Sequence, residues 1–211
     1  MLKLAGLLGS VALCAAPACA AFSGLTLIPT ADVMGPGQVC VDYQVDGPFP
    51  VGSGPEMVLL NTQYGVGSRA EVGIDFDLSE EAPAGAVFNG KLVLRPVETG
   101  LGLAVGSFNA GERLAPTTYG VATLDLGRLR CHLGVQDSPE ETGVLSGLDI
   151  SVSEKLQLWA EHISGDEGAS AFSLAYQLHP RWGISLAWQD PNDEGADNSY
   201  SIHAGCVLSS D

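Results

Sequence analysis

Bases are scarce in this chain: Lys and Arg total 9 against 25 Asp and Glu, for a formal net charge of −16 over 211 residues. That imbalance excludes nucleic acid as a partner, because binding it rests on a basic surface. It also requires that the acids lie where water reaches them. Aromatic residues make up only 7%. No stretch beyond the N-terminus sustains a 3.6-residue period, so an all-helical fold is excluded. The cysteines form no C-x-x-C pair, and no zinc spacing, Gly-rich phosphate loop or nucleophile elbow occurs. The sequence therefore calls for no metal and no cofactor.

What is present is glycine, 27 of them, and short alternating runs between Gly- and Pro-rich breaks. The clearest run is Ala70 to Leu78. Ala70, Val72, Ile74, Phe76 and Leu78 fall on one face of an extended strand, and Glu71, Gly73, Asp75 and Asp77 on the other. A half-buried soluble sheet has this pattern, and so does a transmembrane barrel with its apolar face in lipid.

The N-terminus reads as a secretory leader. Lys3 supplies the charge, Leu4 to Leu13 an apolar core of about ten residues, and Ala18-Cys19-Ala20 a small-residue cleavage site. The expected organisation is a signal peptide over 1–20, an irregular segment over 21–37 and a β-barrel over 38–211. The apolar core is too short for a membrane anchor. Leu13 before Cys14 fits a lipoprotein signal poorly. Cleavage removes Lys3 and no acid, so the mature chain is one unit more negative. It keeps Cys40, Cys131 and Cys206, and an oxidising compartment leaves one disulfide among them open.

Alternation recurs through the chain and predicts twelve strands, at Gln38–Val45, Val58–Val66, Ala70–Leu78, Val87–Arg95, Gly100–Phe108, Thr117–Leu126, Leu129–Gln136, Val144–Val152, Leu156–Ile163, Ala171–Leu178, Trp182–Trp188 and Tyr200–Leu208. The connections sort by parity. Loops after odd strands are long and hold Asp46, Glu56, Glu80, Glu81, Glu112, Asp137, Glu140, Glu141, Asp166, Glu167, Asp190, Asp193, Glu194 and Asp197, with Arg113 their one base. Turns after even strands are short, and the turns and their edges hold Arg69, Arg95, Arg128, Arg130, Lys155 and Arg181. Alternate connections of an up-and-down antiparallel barrel share an end, so one rim is acidic and the other basic. That is the outer-membrane pattern of short periplasmic turns and longer outer loops.

The apolar faces, including Phe88, Leu92, Leu94, Leu124, Leu126, Leu148 and Ile150, then meet lipid. The lumen is expected to be lined by Asp42, Glu71, Asp75, Lys91, Arg95, Asp125, Arg130, His132, Asp149, Glu161 and His203. Mixed charges on neighbouring strands would pair there, Asp75 with Lys91 among them. Lumen filling is the plainer reading of these residues and a selective ion path the sharper one.

Two motifs carry chemistry. Glu161-His162-Ile163-Ser164 puts His162 and Ser164 on one face, a base beside a nucleophile. It resembles the His and Ser pair of the lipid A deacylase barrels. Asp190-Pro191-Asn192-Asp193-Glu194-Gly195 opens like a calcium loop, but Ser201 stands where the twelfth-position Glu belongs, and a solvated hairpin tip explains it.

Gly24-Leu25-Thr26-Leu27-Ile28-Pro29-Thr30-Ala31 resembles the G-L-x-x-x-P-T-A opening of the YjbH-like exopolysaccharide family of outer-membrane barrels. Gly37-Gln38 leading into a strand, and Asn61-Thr62-Gln63-Tyr64-Gly65-Val66-Gly67 followed by Glu71-Val72-Gly73-Ile74, are similar too. The resemblance implies an outer-membrane barrel linked to polysaccharide export. The expected function is a non-enzymatic outer-membrane barrel, a narrow pore or a structural one. The alternatives are a lipid-modifying hydrolase and a soluble secreted β-sandwich. Expected partners are outer-membrane lipid and divalent cations at the acidic loops; the sequence is silent on oligomeric state.

Overall fold

The computed structural model describes residues 23–79, 85–111 and 115–209. The predicted leader, Glu80, Glu81, Glu112 and Arg113 lie outside the described residues.

Twelve strands form one closed antiparallel barrel, each paired with its neighbours in sequence and the first with the last. They are β1 (Gln38–Pro48), β2 (Met57–Val66), β3 (Ala70–Asp77), β4 (Ala86–Arg95), β5 (Leu101–Ala110), β6 (Thr117–Asp125), β7 (Leu129–Asp137), β8 (Thr142–Ser151), β9 (Leu156–Ile163), β10 (Ala169–His179), β11 (Trp182–Pro191) and β12 (Ser199–Ser209). Closure runs over Gln38–Ser209 to Pro48–Ser199, so no strand edge is left open. A two-sheet sandwich is thereby replaced by a single barrel.

Period-2 alternation decides which side chains face out. Val72, Phe88, Leu92, Leu133, Leu148, Leu174 and Leu186, among others, are exposed around the whole circumference. A soluble protein does not expose a continuous apolar belt of this kind, whereas a membrane-spanning barrel requires one. The few aromatics are placed economically. Tyr64, Tyr176 and Trp182 lie toward the short-turn end, and Phe49, Phe76, Phe88, Phe172 and Trp188 toward the other. Two girdles result despite the low aromatic content.

The acidic connections share one end, but they are shorter than the sequence pattern predicts. Those after β7 and β9 span only 138–141 and 164–168, because β8 and β10 begin two residues before their predicted starts. Cys131 and Cys206 are free, so no disulfide joins any two of Cys40, Cys131 and Cys206.

Candidate functional site

The inside of the barrel holds its own N-terminal segment. Residues 23–37 form no strand. They fold into a compact turn in which Leu25 N–H donates to Ile28 O (2.9 Å) and Thr30 N–H to Ser23 O (3.3 Å). Leu25, Ile28 and Ala31 are buried and pack with Val93, Ala104, Tyr119, Val121, Leu145, Trp159 and Ala175. Those last residues have inward parity on β4, β5, β6, β8, β9 and β10. They form an apolar seat on one half of the lumen wall, and burying Leu25 and Ile28 on it contributes about 1.5–3 kcal/mol each.

Two inward carboxylates clamp the segment's backbone. Glu161 accepts N–H bonds from Thr26 (3.0 Å), Leu27 (2.7 Å) and Ile28 (3.0 Å). Glu71 accepts from Ser23 N (3.1 Å), Ser23 Oγ (2.6 Å) and Met34 N (2.8 Å). Charge-assisted bonds of this kind are about twice as strong as neutral ones. Glu71 also pairs with Lys91 at 3.3 Å, both side chains 1% exposed. Lys91 in turn donates to the carbonyls of Ser23 and Asp32, the latter at 2.9 Å. Ala31 N–H donates to Thr123 Oγ1 (2.9 Å), which also contacts His132 Nδ1 at 2.9 Å. Arg130 bridges Asp32 of the segment to Asp149 of β8. Burial pushes the Asp32 carboxyl up, but Arg130 and the Thr30 hydroxyl outweigh it and hold it below the ordinary carboxylate range. That tie is in place at neutral pH and is lost only as pH falls through the depressed value.

Glycines make room for the segment. A Cβ on Gly147 would lie 2.5 Å from Ile28 Cδ1, and one on Gly65 would lie 2.7 Å from Met34 O and closer still to Gly35 O. At Gly65 the obstacle is backbone and cannot swing aside. Gly65→Ala is expected to cost about 1–3 kcal/mol of stability, measured as a lower urea midpoint in vesicles, with the folded, heat-modifiable barrel still formed.

The other half of the lumen, along β12, β1, β2 and β3, is polar. His203 Nδ1 lies 2.8 Å from Asp42 Oδ2, and its Nε2 lies 2.9 Å from Ser201 Oγ. Asn61 Nδ2 donates to Gln44 Oε1 (2.7 Å), and Asn89 Nδ2 to Asp75 Oδ2 (2.9 Å). Asp42 Oδ1, Asn61 Oδ1 and Asp75 Oδ1 have no hydrogen-bond partner among the described residues. Ser173, Ser185 and Ser201 line the adjoining wall with small side chains.

Of the residues expected in the lumen, Asp42, Glu71, Lys91, His132, Asp149, Glu161 and His203 are buried there, with Asp75 and Arg130 half-buried. Arg95 is a correction. The β4–β5 register shifts between Val93 and Arg95, and Arg95 is exposed at the end of its strand. Asp125 is another. It lies at the short-turn rim, where its Oδ1 accepts Gly127 N–H at 2.7 Å. Asp75 and Lys91 do not meet, because the β3–β4 register sets Glu71 opposite Lys91 and Asp75 opposite Val87.

His162 and Ser164 are not joined either. His162 Nδ1 lies 3.0 Å from Ser170 Oγ on the next strand, and Ser164 Oγ accepts Val144 N–H at 2.8 Å. In the 192–198 hairpin Asp193 Oδ1 accepts Gly195 N–H, a turn rather than an ion loop. At the acidic rim Glu141 accepts the N–H groups of Asp166 and Glu167. Among the described residues no three His, Cys, Asp or Glu side chains converge as a metal site. The sequence pattern missed that residues 23–35 fold inside the barrel. The available signal was Val93, Val121, Leu145 and Trp159, apolar residues at inward parity.

No protein-family model matches the chain, and no curated protein matches it. Among solved structures it is similar to the KdgM porin, with a TM-score of 0.65 and 10% identity over 79% of this chain and 98% of that one. The KdgM porin in complex with disordered oligogalacturonate matches with the same TM-score, identity and coverage. The chain has the fold of a porin barrel.

Proposed function

We propose that the protein is a non-enzymatic outer-membrane barrel, a narrow pore held closed at rest by its own N-terminal segment. The membrane placement draws on the apolar belt, the two aromatic girdles and the porin fold. The closed state draws on one observation above all: Glu161 takes three consecutive backbone N–H groups of the segment. The segment fills the lumen against β4 to β10, and buried polar side chains along β12, β1, β2 and β3 line the rest.

Sequential antiparallel pairing puts Gln38 and Ser209 at the short-turn end. The segment therefore enters from that side, which we assign to the periplasm, with the acidic loops outside. Acids outnumber bases in the lumen: Asp32, Asp42, Asp46, Glu71, Asp75, Asp149 and Glu161 stand against Lys91 and Arg130. An anionic sugar such as the oligogalacturonate of the KdgM complex fits poorly here, and small cations or neutral solutes fit better. A link to polysaccharide export rests only on the resemblance at residues 24–31 and 61–74. Residues 24–31 are part of the plug, which ties that motif to closing the barrel.

Membrane fractionation and planar-bilayer recording test this reading. The intact protein should fractionate with the outer membrane and give long silent periods broken by brief, small openings. A steadily open pore, or a protein recovered in the soluble fraction, would overturn it.

A further inference from the structure

The outer wall over β9 to β12 is part of the apolar belt. It carries a groove of about 530 Å³ whose walls include Leu158, Phe172, Leu174 and Leu186, with Phe49 and Val51 of the 49–56 loop over it. That loop is held down at two points. Phe49 N–H donates to Asn198 O at 2.7 Å, and the Tyr200 hydroxyl donates to the Glu56 carboxylate. Gly47 permits the fit, since a Cβ there would lie 2.9 Å from the Tyr200 hydroxyl.

Strand register stacks this wall in layers. Leu158, Leu174, Leu186 and Ile202 form one row, and Ala160, Phe172, Trp188 and Tyr200 the next toward the acidic rim. Phe172 and Trp188 stack with centroids 6.2 Å apart. The row beyond is polar, with Ser146, His162, Ser170 and Asp190 in register on four adjacent strands. Aliphatic, aromatic and polar layers in that order match an amphiphile lying along the wall, with its chain in the groove and its head at the polar row. The groove is continuous with the lipid-facing belt, so acyl chains are what surround it. Asp190, Asp166 and Glu167 are all exposed at this rim. They repel a purely anionic headgroup and attract an ammonium.

We propose that this wall is a binding site for one phospholipid with an ammonium-bearing headgroup. Its acyl chain lies beneath Phe49 and Val51, and its headgroup sits at the His162, Ser170 and Asp190 row. The proposal rests on the membrane-barrel reading above. It adds a lipid that stays with the protein when the surrounding bilayer is stripped away.

The experiment reconstitutes the full barrel in vesicles of equal parts phosphatidylethanolamine and phosphatidylglycerol, extracts it in mild detergent and weighs the intact complex by native mass spectrometry. The expected result is one retained phosphatidylethanolamine. Phe49→Ala with Val51→Ala alters only the loop over the groove, leaves the barrel heat-modifiable and should cut retention by about tenfold. Asp190→Asn should abolish the preference for phosphatidylethanolamine over phosphatidylglycerol. A barrel that retains no lipid, one whose retention survives the double substitution, or one that keeps phosphatidylglycerol equally well overturns the proposal. Any of these in a protein that still fractionates with the membrane leaves the pore reading standing. A protein absent from the membrane fraction sinks that reading instead.

Discussion

In planar bilayers, Glu161→Ala is expected to raise the fraction of time the barrel conducts by about a hundredfold. The carboxylate holds the backbone N–H groups of Thr26, Leu27 and Ile28. A hydrogen bond to a charged group contributes about 1.5–3 kcal/mol, and water entering the vacated lumen recovers part of that. A net loss of about 3 kcal/mol shifts a closed–open equilibrium about a hundredfold. Glu161→Gln keeps one acceptor oxygen and should fall between the two. A chain lacking residues 23–35 sets the fully open level. Neither variant touches the strand pairing, so both should still migrate as folded barrels. If Glu161→Ala and the shortened chain both conduct like the intact protein, the segment is not the gate.

The barrel itself was legible because strand periodicity is local. Each run such as Ala70 to Asp77 declares its two faces without reference to any other. Parity then carries Glu71, Lys91, Glu161 and His203 into the lumen with no further information. The plug was not legible for the opposite reason. Residues 23–37 have no period, and their seat is assembled from single apolar residues on β4, β5, β6, β8, β9 and β10. No one strand announces it. The same limit explains the motif errors. Residues two apart on a strand, such as His162 and Ser164, are separated by about 6.6 Å, whereas direct cross-strand neighbours stand about 4.5–5.5 Å apart. His162 therefore bonds Ser170, its partner in register. Asp75 and Lys91 share a hairpin, but register sets Lys91 opposite Glu71.

That register also makes the buried Lys91–Glu71 pair costly to disturb. Both side chains are 1% exposed, and Lys91 binds the carbonyls of Ser23 and Asp32 besides. Lys91→Met keeps the volume and removes the ammonium, leaving Glu71 charged and buried. Breaking a buried pair from one side costs about 3–5 kcal/mol. Glu71 would retain its bonds from Ser23 and Met34, which places the loss near the lower end. Urea titration in vesicles, followed by tryptophan fluorescence, should show the midpoint fall sharply. The decisive measurement is the double variant, Lys91→Met with Glu71→Gln. With no uncompensated charge left inside, it should recover a large part of the loss, because the two positions share one interaction and their effects do not add. If the double variant is as unstable as the sum of the two single ones, Lys91 acts on the plug through the Ser23 and Asp32 carbonyls alone, and the ion pair contributes nothing to holding it.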